Sequence, residues 1–118
     1  MKTVMIVDDS AFMRMLIKNI LEKNGLEVIG EAENGLAGVN LYRELRPDLV
    51  TMDITMPVLD GIQALRHILE LDPNASVVMV SSMGQEILVE EAISSGAKSF
   101  LVKPFRQESI ANMINNLR

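Results

Sequence analysis

Along the chain, short continuous apolar runs alternate with stretches in which apolar residues recur every three or four positions. TVMIV (3–7), EVIGEA (27–32), DLVTM (48–52), SVVMV (76–80) and SFLV (99–102) are of the first kind and predict strands. EVIGEA carries two glutamates and predicts a less buried, edge strand; the others suit strands covered on both faces.

The intervening stretches predict helices. Ser10 can cap a helix over 11–24 with Phe12, Met15, Leu16 and Ile20 on its inner side, and Gly25 stops it. Asn34-Gly35 breaks the chain before a helix over 36–45 that places Val39 and Tyr42 one turn apart. GIQALRHILEL (61–71) is amphipathic through Ile62, Leu65, Ile68 and Leu69, and Asp72-Pro73-Asn74 turns the chain. Further helices are expected over 86–95, ended by Gly96, and over 108–117.

Five strand–helix units imply a parallel sheet, because a helical crossover returns the chain to the same end. The fold class is therefore α/β: a five-stranded doubly wound parallel sheet with helices on both faces. Residues 1–118 read as one domain with no output domain attached.

Composition narrows the function. The chain has no cysteine, which excludes disulfides and thiolate metal sites. The net charge is −5, with Lys and Arg scattered among the acids, so nucleic-acid binding is not expected. No apolar run reaches the roughly 20 residues of a membrane span, and the N-terminal run is too short for a signal peptide. A cytoplasmic monomer without membrane contact is expected.

The candidate chemistry lies where the strands end. In a parallel sheet all carboxyl ends share one edge, where ligands of open α/β sheets bind. Asp8, Asp9, Asp53, Ser81 and Lys103 each follow the last apolar residue of a strand. Three neighbouring carboxylates repel and call for a cation; hard oxygen ligands suit Mg²⁺, which keeps waters that a phosphate can displace. Lys103 supplies a point charge that grips phosphate, Ser81 a hydroxyl donor, and a free carboxylate a nucleophile. Taken singly each has a plainer reading: Asp9 or Ser10 as a helix cap, Lys103 as a surface lysine. Their convergence on one edge favours a phosphate–metal site.

VDDS after the first strand, MDITMPVLDG around the third, VSS after the fourth and VKPF after the fifth resemble the receiver domains of two-component response regulators. The likeness runs over essentially the whole chain and is strongest to the single-domain chemotaxis type. It implies the flavodoxin-like strand order 2-1-3-4-5 and phosphorylation of Asp53 by a sensor histidine kinase. It also implies Mg²⁺, or Mn²⁺, held directly by Asp9, Asp53 and the Thr55 backbone carbonyl, with Asp8 acting mostly through water. Ser81 would hydrogen-bond the phosphoryl group and Lys103 would pair with it. Lys103-Pro104 matches a cis peptide of the family, and Gly61 a structural glycine.

Phe100 stands where the family has an aromatic switch, without the hydroxyl of the frequent tyrosine. Thr55 and Met83 lie where the lifetime of the phosphorylated state is tuned. The only histidine, His67, is expected on a solvated helix side. The implied output surface joins Ile87, Leu88, Glu90, Glu91, Phe100 and Arg106. Its implied partner is the flagellar motor switch protein, with a phosphatase as a further partner. Such a protein is not a conventional enzyme, since it catalyses only its own phosphoryl transfer and dephosphorylation. Other readings are a phosphorelay intermediate, the receiver of a chemotaxis methylesterase, and a small Mg²⁺-dependent aspartyl phosphatase or phosphotransferase. The last would need a cap over its substrate, for which the short loops leave no room. No Walker-type GKS or GKT is present for ATP, and few aromatics are available to sandwich a flavin.

Overall fold

The computed structural model describes residues 3–117. Strands β1 (Thr3–Val7), β2 (Glu27–Ala32), β3 (Leu49–Asp53), β4 (Val77–Ser81) and β5 (Ser99–Val102) alternate with helices α1 (Ala11–Lys23), α2 (Gly35–Leu45), α3 (Gly61–Leu71), α4 (Glu86–Ser94) and α5 (Gln107–Leu117). All strand pairs are parallel, in the order β2-β1-β3-β4-β5. This is the doubly wound α/β fold that the alternation of runs predicts.

Side chains alternate across each strand and so feed two cores. Val4, Ile6, Leu49, Val78 and Leu101 point to one face, where Ile17, Ile20 and Leu21 of α1 and Ile110, Met113 and Ile114 of α5 cover them. Met5, Val7, Val50, Met52, Val77 and Met79 point to the other, under Val39 and Tyr42 of α2, Ile62, Leu65 and Ile68 of α3, and Ala92 of α4. Among the described residues, no helix is long and apolar enough to cross a membrane.

Three helices start on side-chain caps. Ser10 Oγ accepts the Met13 N–H, Asn34 Oδ1 that of Ala37 and Asp60 Oδ1 that of Gln63, each worth typically about 1 kcal/mol. α4 has no such cap, and Ala92 is its one buried residue.

The inner face of α1 differs from expectation. Phe12 is 67%, Met15 53% and Leu16 38% exposed, while Ile17, Ile20 and Leu21 are buried and Met13 packs against them. The stripes 12-16-20 and 13-17-20 both satisfy the helical period and share Ile20. Periodicity alone does not choose between them. β3 and β4 also each run one residue further than the apolar stretch, so Asp53 and Ser81 are the last residues of their strands, and both are buried.

Candidate functional site

Register assembles the site. Val7 lies beside Met52 and Asp53 beside Val80, so Asp8, one step beyond β1, comes next to Asp53. Ser81 pairs with Val102, and Lys103 follows at once. Ligand atoms of Asp8, Asp9 and Asp53 all lie within 4.8 Å of one another. Lys103 Nζ stands 3.3 Å from Asp8 Oδ2 and 3.7 Å from Asp53 Oδ2.

Asp8 is held from several sides. Its backbone N–H donates to Ala32 O at 3.0 Å, and its Oδ1 accepts the Ser10 N–H at 2.9 Å. Arg14 Nη1 donates to its carbonyl at 2.7 Å, while Arg14 Nε donates to Glu31 on β2 at 3.2 Å. Asp9 is exposed.

Burial, then repulsion from Asp8 and Asp9, pushes the Asp53 carboxyl up to about 6, against the pull of Lys103 and of the Thr55 backbone N–H. One lysine among three carboxylates leaves a deficit of positive charge. A hard divalent cation fits this donor set: oxygen ligands only, clustered, one of them on the solvent side.

The Ser81 hydroxyl donates to Leu101 O at 3.3 Å and so is turned toward β5. The Lys103-Pro104 peptide is cis. Gly61 has no space for a side chain, because a Cβ there would overlap the Asp53 carbonyl and Ile54 Cα; the start of α3 is pressed against the strand end that carries Asp53.

Phe100 is 46% exposed at a crevice of about 720 Å³ between α4 and β5, lined by Ser81, Val89, Ile93 and Val102 among others. Met83 is exposed in the loop above it. Glu90 lines the same crevice, Arg106 lines a depression between β5 and α5, and Ile87 is exposed on α4. Glu91 is not part of that surface. It pairs with Arg66 of α3 at 3.1 Å, and Leu88 and Glu91 line a depression shared with α3. On α4, adjacent residues point about 100° apart, so Glu90 lines the crevice beside β5 while Leu88 and Glu91 line the depression beside α3. His67 is exposed on α3.

Two residues that the sequence did not single out also belong here. Arg14 props the Asp8 carbonyl, as described. Gln85 bridges the loops after β3 and β4: its Nε2 donates to Thr55 Oγ1 at 2.8 Å and its Oε1 accepts the Ser82 N–H at 2.7 Å. Neither carries a local sequence signal, since an arginine in a helix and a glutamine before one are ordinary residues.

An acid cluster at the carboxyl edge of a 2-1-3-4-5 sheet, with a lysine after the last strand, is the architecture of a phosphorylation receiver. The family described as the response regulator receiver domain matches residues 4–115, and the chain belongs to it. It is 53% identical to the chemotaxis protein CheY of Thermotoga maritima over 98% of this chain and 97% of that one. It is 56% identical to CheY of Bacillus subtilis over 95% of this chain and 93% of that one. Among solved structures it resembles a chain of the CheX-CheY-BeF₃-Mg²⁺ complex from Borrelia burgdorferi, with TM-score 0.94, 38% identity, and coverage of 98% of this chain and 88% of that one.

Proposed function

We propose that the chain is a Mg²⁺-dependent phosphorylation switch of a chemotaxis pathway, with Asp53 as phosphoacceptor. The observation that carries this reading is the placement of the Asp53 carboxylate within 3.7 Å of Lys103 Nζ and within the acid cluster. The phosphoryl donor is a phosphohistidine of a sensor kinase. An Asp53 oxygen attacks phosphorus, the P–N bond breaks, and the imidazole nitrogen keeps the electron pair, leaving an acyl phosphate on Asp53.

Asp9, Asp53 and the Thr55 carbonyl would hold the metal directly and Asp8 would support it through water; bound there, it would supply positive charge to phosphoryl oxygens. Lys103 pairs with the phosphoryl group, and the Ser81 hydroxyl turns from Leu101 O to donate to it. These two movements alter the loops at the head of α4 and behind β5. The altered face, with Phe100 switching by packing alone, binds the flagellar motor switch protein, and a phosphatase resets the site. A cytoplasmic location follows from such partners. Similarity to chemotaxis proteins over nearly their full length favours this output over a phosphorelay step.

Incubation with Mg²⁺ and acetyl phosphate, followed by intact-mass measurement, tests the chemistry. One phosphoryl group is expected on the wild type and none on Asp53→Asn or after EDTA. Undiminished labelling of Asp53→Asn would remove Asp53 as the acceptor.

A further inference from the structure

Gln85 stands at the cap position of α4 but does not cap it. Its carboxamide turns back. Oε1 closes the turn through Gly84, whose φ is +90°, by accepting the Ser82 N–H at 2.7 Å, and Nε2 reaches across to Thr55 Oγ1 at 2.8 Å. Thr55 lies two residues beyond Asp53, on the loop that leaves β3. Ser82 adjoins Ser81. Through Gln85, hydrogen bonds thus tie the loop that follows Ser81 to the loop that follows Asp53.

The surroundings give this path weight. α4 has one buried residue, and its other side-chain ties, from Arg66 to Glu91 and Ser95, lie toward its far end. The head of the helix is tied to the Asp53 loop by Gln85. The task needs a donor and an acceptor on one planar group of this reach, which a carboxamide offers.

We propose that Gln85 is a positioning residue of the phosphoryl site. It fixes Thr55, and through Thr55 the Asp53 carboxylate, relative to the loop carrying Ser81, so that both loops meet a phosphoryl group as one preorganised unit. The inference rests on the reading of Asp53 as phosphoacceptor. It is separate from that reading, because Gln85 touches neither the acids nor Lys103.

A double-mutant cycle on the whole chain tests it, with beryllofluoride and Mg²⁺ as the probe and isothermal titration as the readout. Gln85→Met removes both polar contacts at similar length. Thr55→Val removes the hydroxyl and keeps the backbone. Each is expected to weaken beryllofluoride binding by about 2- to 12-fold, the range for one hydrogen bond, and the double variant by no more than either alone. Thr55→Ser, which retains the hydroxyl, is expected to lose clearly less affinity than Thr55→Val. The Gln85 side-chain amide resonances are expected to shift in Thr55→Val. Additive losses, or unchanged affinity in Gln85→Met whatever its melting temperature, would overturn the inference while leaving the phosphoacceptor reading intact. A wild type that binds no beryllofluoride would overturn both.

Discussion

Lys103 Nζ lies closer to Asp8 Oδ2, at 3.3 Å, than to Asp53 Oδ2, at 3.7 Å. The lysine is therefore shared between Asp8 and Asp53, in space and charge that a bound cation and a phosphoryl group would claim. The same ammonium opposes Mg²⁺ and attracts phosphate. Lys103→Met is thus expected to act in opposite directions on two ligands. Mg²⁺ affinity should rise by about 10-fold, since a partly screened like charge nearby costs on the order of 1.4 kcal/mol. Beryllofluoride affinity should fall by at least as much. Titrating each variant with Mg²⁺ alone and then with beryllofluoride separates the two, and a parallel change in both would contradict a shared lysine.

Asp53 makes stability depend on pH. Its folded-state value, about 6, lies above the ordinary carboxylate value, so the folded chain holds the proton more tightly than the unfolded chain does. That contribution is complete below about pH 4 and is lost as pH rises through about 6. At neutral pH the ionised group is a liability that a neutral isostere removes. Asp53→Asn should stabilise the metal-free protein by about 1–2 kcal/mol near pH 8, a figure reduced from the full shift because the site borders solvent. The gain should fade toward about pH 4 and shrink on adding Mg²⁺. Urea unfolding at several pH values reads this directly. A gain that does not vary with pH would assign it to packing instead.

The architecture was legible because four of the strands are nearly unbroken apolar runs and α1, α3 and α4 are each followed by a glycine or a turn. The site was legible for a related reason: in a parallel sheet, sequence position at a strand end is also spatial position. Contacts that depend on helix phase or side-chain reach were not legible. Phe12, Met15 and Leu16 fit the period of α1 as well as the residues that are buried do. Glu91 meets Arg66 across two helices, and Gln85 meets Thr55 thirty residues away. No local pattern distinguishes such pairs from solvated side chains.

Gly61 leaves no room for a Cβ beside the Asp53 carbonyl, and its own N–H donates to Ile54 O at 2.8 Å. Both neighbours are backbone, so neither can swing aside. Gly61→Ala should cost about 3 kcal/mol, the upper part of the overpacking range. It should also weaken Mg²⁺ binding, because relief of the clash must displace the strand end that carries Asp53. Loss of stability with unchanged Mg²⁺ affinity would mean that α3 moves rather than β3.

Val58 sits at φ +72° in the loop after Asp53 while the Leu59 N–H donates to Pro57 O at 2.8 Å, the three-residue turn of the strained type. A β-branched residue is poorly suited to this region, and at 73% exposure it gains little packing in return. Val58→Gly should therefore stabilise the protein by about 1 kcal/mol, raising Tm by a few degrees, despite the greater freedom of glycine in the unfolded chain. Thermal unfolding of the purified variant is the measurement. A lower Tm would show that the valine side chain is held by contacts outweighing the strain.

The partner surface follows from what α4 and β5 leave uncovered. Met83, Ile93, Phe100 and Val102 are exposed apolar residues around the crevice, and Ser81 lines that crevice from the site side. Phe100 has no hydroxyl to pair with Ser81, so the two ends can communicate only through occupied volume. On the proposed mechanism a Ser81 hydroxyl drawn to a phosphoryl group would leave Leu101 O, and the Phe100 ring would repack in the crevice that both residues line. A peptide from a flagellar motor switch protein should accordingly bind the beryllofluoride form more tightly than the free form. The expected ratio is about 5- to 150-fold, the usual span of allosteric coupling. Phe100→Ala should compress the ratio toward one while leaving beryllofluoride binding in place, because the ring transmits the state and does not create it. Fluorescence titration of a labelled peptide against both forms, at equal Mg²⁺, decides the matter. Equal affinities in the wild type would direct the output to another phosphotransfer protein, and an undiminished ratio in Phe100→Ala would place the relay elsewhere in the loop that precedes α4.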